Sequence, residues 1–178
     1  MPITNHSSLD PVLNSFHDLS VEEMSISLKP KKFFLVAGVG EGKTKLTAFD
    51  KALLSAGIGN INLIKLSSIL PPYVLYQKYI DIPPGSLVPT AYGSIISDRT
   101  GELISAAIGI GMASVDDYGV IMEFSGKCSK LDAEAKIRNM LIEAFENRQL
   151  PLNKAWIKAV EHRVEKVGCA IAAIPLWY

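Results

Sequence analysis

The run of residues that first suggests chemistry is the glycine-rich segment GVGEGKT, from Gly38 to Thr44, which follows an apolar strand and precedes a predicted helix. In this context backbone amides can cradle a phosphate while a lysine, here Lys43, reaches its outer oxygens. The Walker pattern needs glycine where Ala37 stands, and residues 120–123 end in Glu where Asp usually holds the magnesium water. A nucleotide-binding module therefore remains only an alternative to a surface loop ahead of a helix.

Other common catalytic patterns are absent from the sequence. It contains no GxSxG nucleophile elbow, and its three histidines, His6, His17 and His162, stand far apart along the chain. A histidine-based triad or a zinc cluster needs several such ligands at suitable spacing. We therefore expect neither, and any enzymatic chemistry must come from other residues.

An adjacent pair of serines, Ser67 and Ser68, lies between an apolar strand and a pair of prolines. On composition alone the pair would form a turn, but residues 57–72 (GIGNINLIKLSSILPP) closely resemble the processing region of the pyruvoyl-dependent arginine decarboxylases. The resemblance extends from about residue 33 to the C-terminus. Further segments resemble the same family in the same order: residues 87–93, 96–98, 121–123, 126–129, 168–170 and 176–178.

The resemblance implies that the chain cuts itself at this pair and makes its own cofactor. The Ser68 hydroxyl would attack the Ser67 carbonyl and form an ester, and β-elimination with loss of ammonia would leave a pyruvoyl group on Ile69. The products would be a β chain of residues 1–67 and an α chain of residues 68–178. Decarboxylation needs such a carbonyl because no side chain delocalises the electron pair left at Cα well. Neither PLP nor a metal is expected.

The resemblance also implies roles for individual side chains. Asn62 would stabilise the oxyanion of the acyl shift, and Glu123 would donate the proton that replaces the lost carboxylate. Asp50 would bind a guanidinium in a planar, bidentate pair. Taken alone, these three residues would be a strand-edge amide, an outward-facing strand carboxylate and a helix cap. The apolar walls of the substrate pocket would come from Leu46, Gly59, Ile61 and Ile69.

The family implies conversion of L-arginine to agmatine and CO2, in polyamine biosynthesis or acid resistance. It also implies a trimer of αβ protomers with active sites between neighbours. Lysine or ornithine remains an alternative substrate, because a carboxylate at Asp50 also accepts an ammonium. An inactive structural subunit is disfavoured, since Ser68, Asn62 and Glu123 are all present.

Composition excludes several other classes of protein. The chain has 178 residues, which is the size of one domain, and its formal net charge is zero. Neutrality argues against a nucleic-acid binder and against attraction to anionic membrane. The longest weakly polar stretch, residues 103–115, falls short of the ~20 residues that span a bilayer. We expect no secretory signal in residues 1–23, and two cysteines without CxxC spacing, Cys128 and Cys169, favour a reducing cytoplasm.

The elements that must position these residues follow from hydrophobic periodicity and capping signals. Residues 1–31 are predicted to be a polar extension, and residues 32–178 a single domain. These elements predict an α+β sandwich of mostly antiparallel sheets covered by helices, and the family resemblance implies that its layers are in the order αββα. The predicted elements are a strand at 32–37, a loop at 38–42, a helix from a capping box at 47–50 to Gly57, a strand at 60–69, a hairpin of 87–97 and 102–113, a strand at 118–126, a helix capped by Ser129, and strands in 155–176 bent at Gly168.

Overall fold

The computed structural model describes residues 29–178, and their compact part extends from Pro30 to Trp177. The predicted N-terminal extension thus lies almost wholly outside the described residues. The helices are α1 (Lys45–Ser55) and α2 (Lys130–Glu146). The strands are β1 (Lys32–Phe33), β2 (Val36–Glu41), β3 (Asn62–Lys65), β4 (Ile69–Leu70), β5 (Leu75–Tyr76), β6 (Leu87–Ser97), β7 (Leu103–Met112), β8 (Gly119–Gly126), β9 (Lys154–Arg163) and β10 (Gly168–Trp177).

Two sheets lie face to face, and one helix covers each outer face. The first sheet has the order β3-β6-β10-β1-β5, with β2 also pairing with β10, and the second has the order β4-β8-β7-β9. Within the described strands, only the β1–β5 and β3–β6 ladders are parallel. Helix α1 packs on β2 and β10, and α2 packs on β7, β8 and β9. The α+β sandwich that the sequence predicts is therefore confirmed.

Strand β10 packs on both of its faces and so connects the second sheet, the first sheet and α1. Its side chains alternate between the core that separates the two sheets, which contains Ala172 and Ile174, and the core beneath α1, which contains Ile171 and Ala173. Successive strand residues point to opposite faces, so a strand that is covered on both sides reads as an unbroken apolar run. The apolar run CAIAAI, residues 169–174, forms the middle of this strand.

The glycine-rich run is not a loop, contrary to the prediction for residues 38–42. Most of it forms β2, in which Gly38 and Gly40 face α1. A Cβ atom placed on Gly40 would lie 2.5 Å from the backbone nitrogen of Ala52, and the facing Ala48 and Ala52 are fully buried. The alternate glycines therefore allow a helix to lie directly against a strand. Close packing accounts for their spacing without a phosphate.

The capping box of α1 begins three residues before the predicted position. Thr44 is the N-cap, and its side chain accepts a hydrogen bond from the amide of Thr47, whose own hydroxyl accepts one from the Thr44 amide. Thr47 is thus the third helical residue and not the cap. Gly57, with a φ of 77°, ends the helix as predicted. The correction leaves Asp50 inside the helix with its side chain exposed, so it has no capping role.

Strands β6 and β7 do not form the predicted hairpin. Strand β6 pairs with β3 and β10 in the first sheet, whereas β7 pairs with β8 and β9 in the second. Residues 98–102 carry the chain from one sheet to the other. Nearly every residue of β7 is buried, and such a strand needs a hydrogen-bonded neighbour on each edge, which β8 and β9 supply. Gly168 likewise begins β10 and does not bend it.

Candidate active site

The adjacent serines lie between two strands that belong to different sheets, at a break in the strand pairing. The sequence predicts one strand over residues 60–69, but β3 and β4 leave residues 66–68 outside any ladder. Ser67 is exposed and Ser68 is half-buried. The predicted cleavage site is thus where the chain crosses from the first sheet to the second.

This break is anchored on both sides. The amide of Leu66 donates to the carbonyl of Thr90 on β6 at 3.1 Å, and the carbonyl of Ser68 accepts from the amide of Ile121 on β8 at 2.8 Å. One bond belongs to each sheet. The backbone around Ser67 is therefore held between two rigid partners and cannot relax freely.

Ser68 has an unusual backbone conformation. Its φ is 93°, in the region that favours glycine, and only two other non-glycine residues of the described chain have a positive φ. An L-residue held there costs about 1–3 kcal/mol. Strain is therefore localised at the residue whose peptide bond to Ser67 is the predicted cleavage point, and breaking that bond would relieve it.

A carboxylate with one bound and one unpartnered oxygen lies beside the break. Glu123 is two residues beyond Ile121 on β8, and its side chain is 27% exposed. Its Oε1 lies 3.1 Å from Nζ of Lys65, while its Oε2 is buried without a hydrogen-bond partner among residues 29–178. Glu123 is therefore not the outward-facing carboxylate that its strand alone would suggest. An unpartnered buried oxygen is available to hold or transfer a proton.

Lys65, which the sequence does not single out, contacts a predicted site residue. Besides its contact with Glu123, its Nζ donates to the carbonyl of Tyr92 at 3.2 Å and lies 4.7 Å from the centre of the Tyr92 ring. The available signal was a lone cation at the end of an apolar strand, three residues before Ser68. Nothing in the sequence shows that β8 brings Glu123 to it.

The residues predicted to recognise substrate form a second group. Leu46 and Asp50 lie one turn apart on the exposed face of α1, where Leu46 is 75% exposed. Gly59 and Ile61 follow that helix and line a cavity of about 240 Å³. The remaining predicted wall residue, Ile69, lies instead beside Ser68 and is exposed. The structure thus divides the predicted pocket between two places.

Asn62 belongs to the second group in this structure. Its Nδ2 donates to the carbonyl of Gly85 at 2.8 Å, as a strand-edge amide does. It begins β3, and Ser67 lies beyond the other end of that strand, so roughly 10 Å of extended chain or more separates them. Within one chain, Asn62 does not meet the Ser67 carbonyl.

Two other features of the described chain bear on its chemistry. Residues 29–178 contain no group of three or more His, Cys, Asp and Glu residues that could hold a metal.

His6 and His17 lie outside this range, whereas Nε2 of His162 lies 2.7 Å from Oε1 of Glu41. Burial would raise the pKa of Glu41, but hydrogen bonds from Glu165 and His162 outweigh it and hold that pKa below its ordinary value. His162 and Glu41 thus tie β2 to the turn before β10.

Within residues 29–178, neither α1 nor α2 has the length and apolar character that a bilayer-spanning helix needs. Both cysteines are free thiols. Burial raises the pKa of the Cys169 thiol to about 11, which makes it unreactive.

The family model described as pyruvoyl-dependent arginine decarboxylase matches residues 32–178. Similar proteins with that name occur in Methanocaldococcus jannaschii (53% identical over 150 residues, 84% of this chain and 91% of that protein), Thermococcus kodakarensis (43% over 150 residues, 83% and 96%) and Pyrococcus furiosus (42% over 153 residues, 84% and 97%).

Proposed function

The chain belongs to the family of pyruvoyl-dependent arginine decarboxylases, and we propose that it converts L-arginine to agmatine and CO2 with a pyruvoyl group made from its own Ser68. Such an enzyme is a carboxy-lyase. One observation carries the proposal beyond the family: the carbonyl of the strained Ser68 accepts a hydrogen bond from Ile121 on β8, and Glu123, two residues further along that strand, has an unpartnered buried oxygen. Those residues fit both the making of the group and its use.

Self-cleavage uses only atoms of the chain and water. Oγ of Ser68 attacks the carbonyl carbon of Ser67, the C–N bond breaks, and the hydroxyl proton passes to the released nitrogen. Loss of the Cα proton of residue 68 then expels Ser67 as a carboxylate. Water adds to the resulting dehydroalanine, after tautomerisation, and ammonia leaves. The strain at Ser68 supports the first step, because the ester no longer needs the φ of 93°.

The decarboxylation step relies on Glu123. The pyruvoyl group would supply the electron sink for the pair of electrons that remains at the substrate Cα when CO2 leaves. Glu123 then delivers a proton to the substrate Cα from Oε2, the oxygen that has no partner among the described residues. Neither PLP nor a metal has a task in this scheme.

The separation of the two groups of site residues supports active sites shared between subunits. Leu46 and Leu54 are exposed on either side of Asp50, and Ile69 is exposed beside Ser68, so each group of site residues has an exposed apolar side chain beside it. A neighbouring copy would bring its Asp50 and Asn62 to Ser68 of the first. Because the two surfaces differ, such a contact would be heterologous, and a heterologous contact forms a closed ring where its rotation closes. The family implies that the ring is a trimer of αβ protomers.

Asp50 is proposed to select the guanidinium of arginine. Replacing it with asparagine should raise KM for L-arginine about 10- to 100-fold, the equivalent of a charge-assisted hydrogen bond worth about 1.5–3 kcal/mol. Release of agmatine and CO2 in equal amounts by the cleaved protein is the assay. L-Lysine and L-ornithine should be poorer substrates for the unaltered enzyme, because an ammonium cannot form the bidentate pair.

The matched control is Asp116→Asn, which removes an exposed carboxylate from the loop after β7 and should leave KM unchanged. Unaltered KM for arginine in Asp50→Asn would remove the guanidinium role. A cleaved protein that makes no agmatine would overturn the proposed function itself.

The free cysteines are consistent with a cytoplasmic enzyme, which remains a prediction.

A further inference from the structure

We infer that Lys65 is a positioning residue for proton transfer, which holds Oε1 of Glu123 and thereby leaves Oε2 as the oxygen that carries the proton. The inference rests on the proposed function, because it assigns a task within that reaction. Lys65 itself would touch neither the substrate nor the pyruvoyl group.

The contacts of Lys65 fix its ammonium in place. Nζ contacts Oε1 of Glu123 at 3.1 Å on β8, and on β6 it contacts the Tyr92 carbonyl at 3.2 Å and the Tyr92 ring at 4.7 Å from its centre. The stem leaves β3, which pairs with β6 in parallel register, Lys65 facing Thr90. Although Lys65 is 54% exposed, its charged end makes three contacts, one with Glu123 on β8 and two with Tyr92 on β6. An ordinary surface lysine has no such set.

This arrangement determines how Glu123 can act. Because Oε1 is held by a cation, the carboxyl group cannot rotate freely to swap the positions of its two oxygens. The proton must therefore reside on Oε2. When Glu123 gives up that proton it becomes a carboxylate in a site only 27% exposed, where a charge without a partner is costly. Lys65 stabilises that carboxylate and so assists the donation.

The position of Lys65 along the chain adds a second consequence. Lys65 lies three residues before Ser68, so self-cleavage would place it in the β chain, whereas Glu123 lies in the α chain. The ion pair would then connect the two chains across the cut. The strand that ends at the reactive centre thus also sets the partner of the proton donor.

The test compares Lys65→Met with Lys65→Arg. The methionine variant keeps the apolar stem and loses the charge, and we expect kcat to fall about 10- to 100-fold with KM for L-arginine within about twofold. The arginine variant keeps the charge and should retain kcat within about threefold. Rates are divided by the amount of α chain, so that slow cleavage does not count as slow catalysis.

The matched control is Lys130→Met on α2. Lys130 is about as exposed as Lys65 and pairs with Glu134 at 3.8 Å, but it lies outside both groups of site residues. Its kcat should be unchanged. Lys65→Met and Lys130→Met should also have similar midpoints of unfolding in denaturant, which separates a change in catalysis from a loss of stability.

A double-mutant cycle decides whether Lys65 acts through Glu123. In a Glu123→Gln background, Lys65→Met should cause no further fall in kcat. An equal fall in both backgrounds, a rise in KM alone, or unchanged kcat in Lys65→Met would each overturn the inference and leave the proposed function standing. If Lys65→Met is not cleaved although Lys65→Arg is, Lys65 acts in self-cleavage and the inference is again wrong. A cleaved unaltered enzyme that makes no agmatine would overturn the proposed function and this inference with it.

Discussion

Replacement of Ser68 by alanine is expected to abolish both self-cleavage and agmatine formation. Alanine has no hydroxyl to attack the Ser67 carbonyl, so no ester forms and no pyruvoyl group can arise. Agmatine production should fall by at least about 10⁶-fold, to the level of the uncatalysed reaction. Denaturing electrophoresis should show one chain of 178 residues, and a product assay should detect no agmatine above background.

The adjacent serine provides the control. Ser67 contributes its carbonyl and not its hydroxyl, so Ser67→Ala should still separate into two chains. Because alanine at position 68 must also adopt a φ near 93°, Ser68→Gly serves as a second variant that lacks the hydroxyl without backbone strain. Two chains or agmatine from either variant at position 68 would contradict the assignment of Ser68.

Replacement of Glu123 by glutamine should separate the making of the cofactor from its use. The variant should still be cleaved, because the acyl shift uses the Ser68 hydroxyl, but its kcat should fall about 10²- to 10⁴-fold, the usual contribution of a general acid. An amide cannot donate the proton that a carboxyl group gives. KM for L-arginine should change little, since the side chain does not bind the guanidinium.

Glu134→Gln is the matched control for this variant. Glu134 also pairs with a lysine, and its side chain is 31% exposed against 27% for Glu123, but it lies on α2. Its kcat should equal that of the unaltered enzyme. An equal effect of the two substitutions, or undiminished kcat in Glu123→Gln, would show that another group protonates the product.

The parts of the fold that local sequence determines were predicted well. The bounds of β6 coincide with the predicted 87–97, and Ser129 caps α2 with Asp132 in the third helical position. A long β segment between turn residues and a capping pair need no distant partner to be recognised. The errors concern features that other elements decide. The close approach of the α1 backbone requires glycines in β2. The partners of β6 and β7 depend on which strands are available to pair with both of their edges.

The site shows the same division. The serine pair and the roles of Asn62, Glu123 and Asp50 came from the resemblance, which depends on sequence alone. The break between β3 and β4, the φ of Ser68 and the ion pair of Lys65 with Glu123 depend on contacts between residues far apart in the chain. The separation of the residues predicted to be catalytic from those predicted to bind substrate also becomes visible only when the chain is folded.

The mass of the unaltered protein under denaturing conditions tests self-cleavage at Ser68 most directly. We expect two chains, residues 1–67 with the mass that the sequence encodes and residues 68–178 lighter than encoded by one ammonia, with an N-terminus that resists Edman degradation. A single chain of full mass after prolonged incubation would contradict the account. So would a fragment that begins with an unmodified serine, because that chain would have been hydrolysed without making a cofactor.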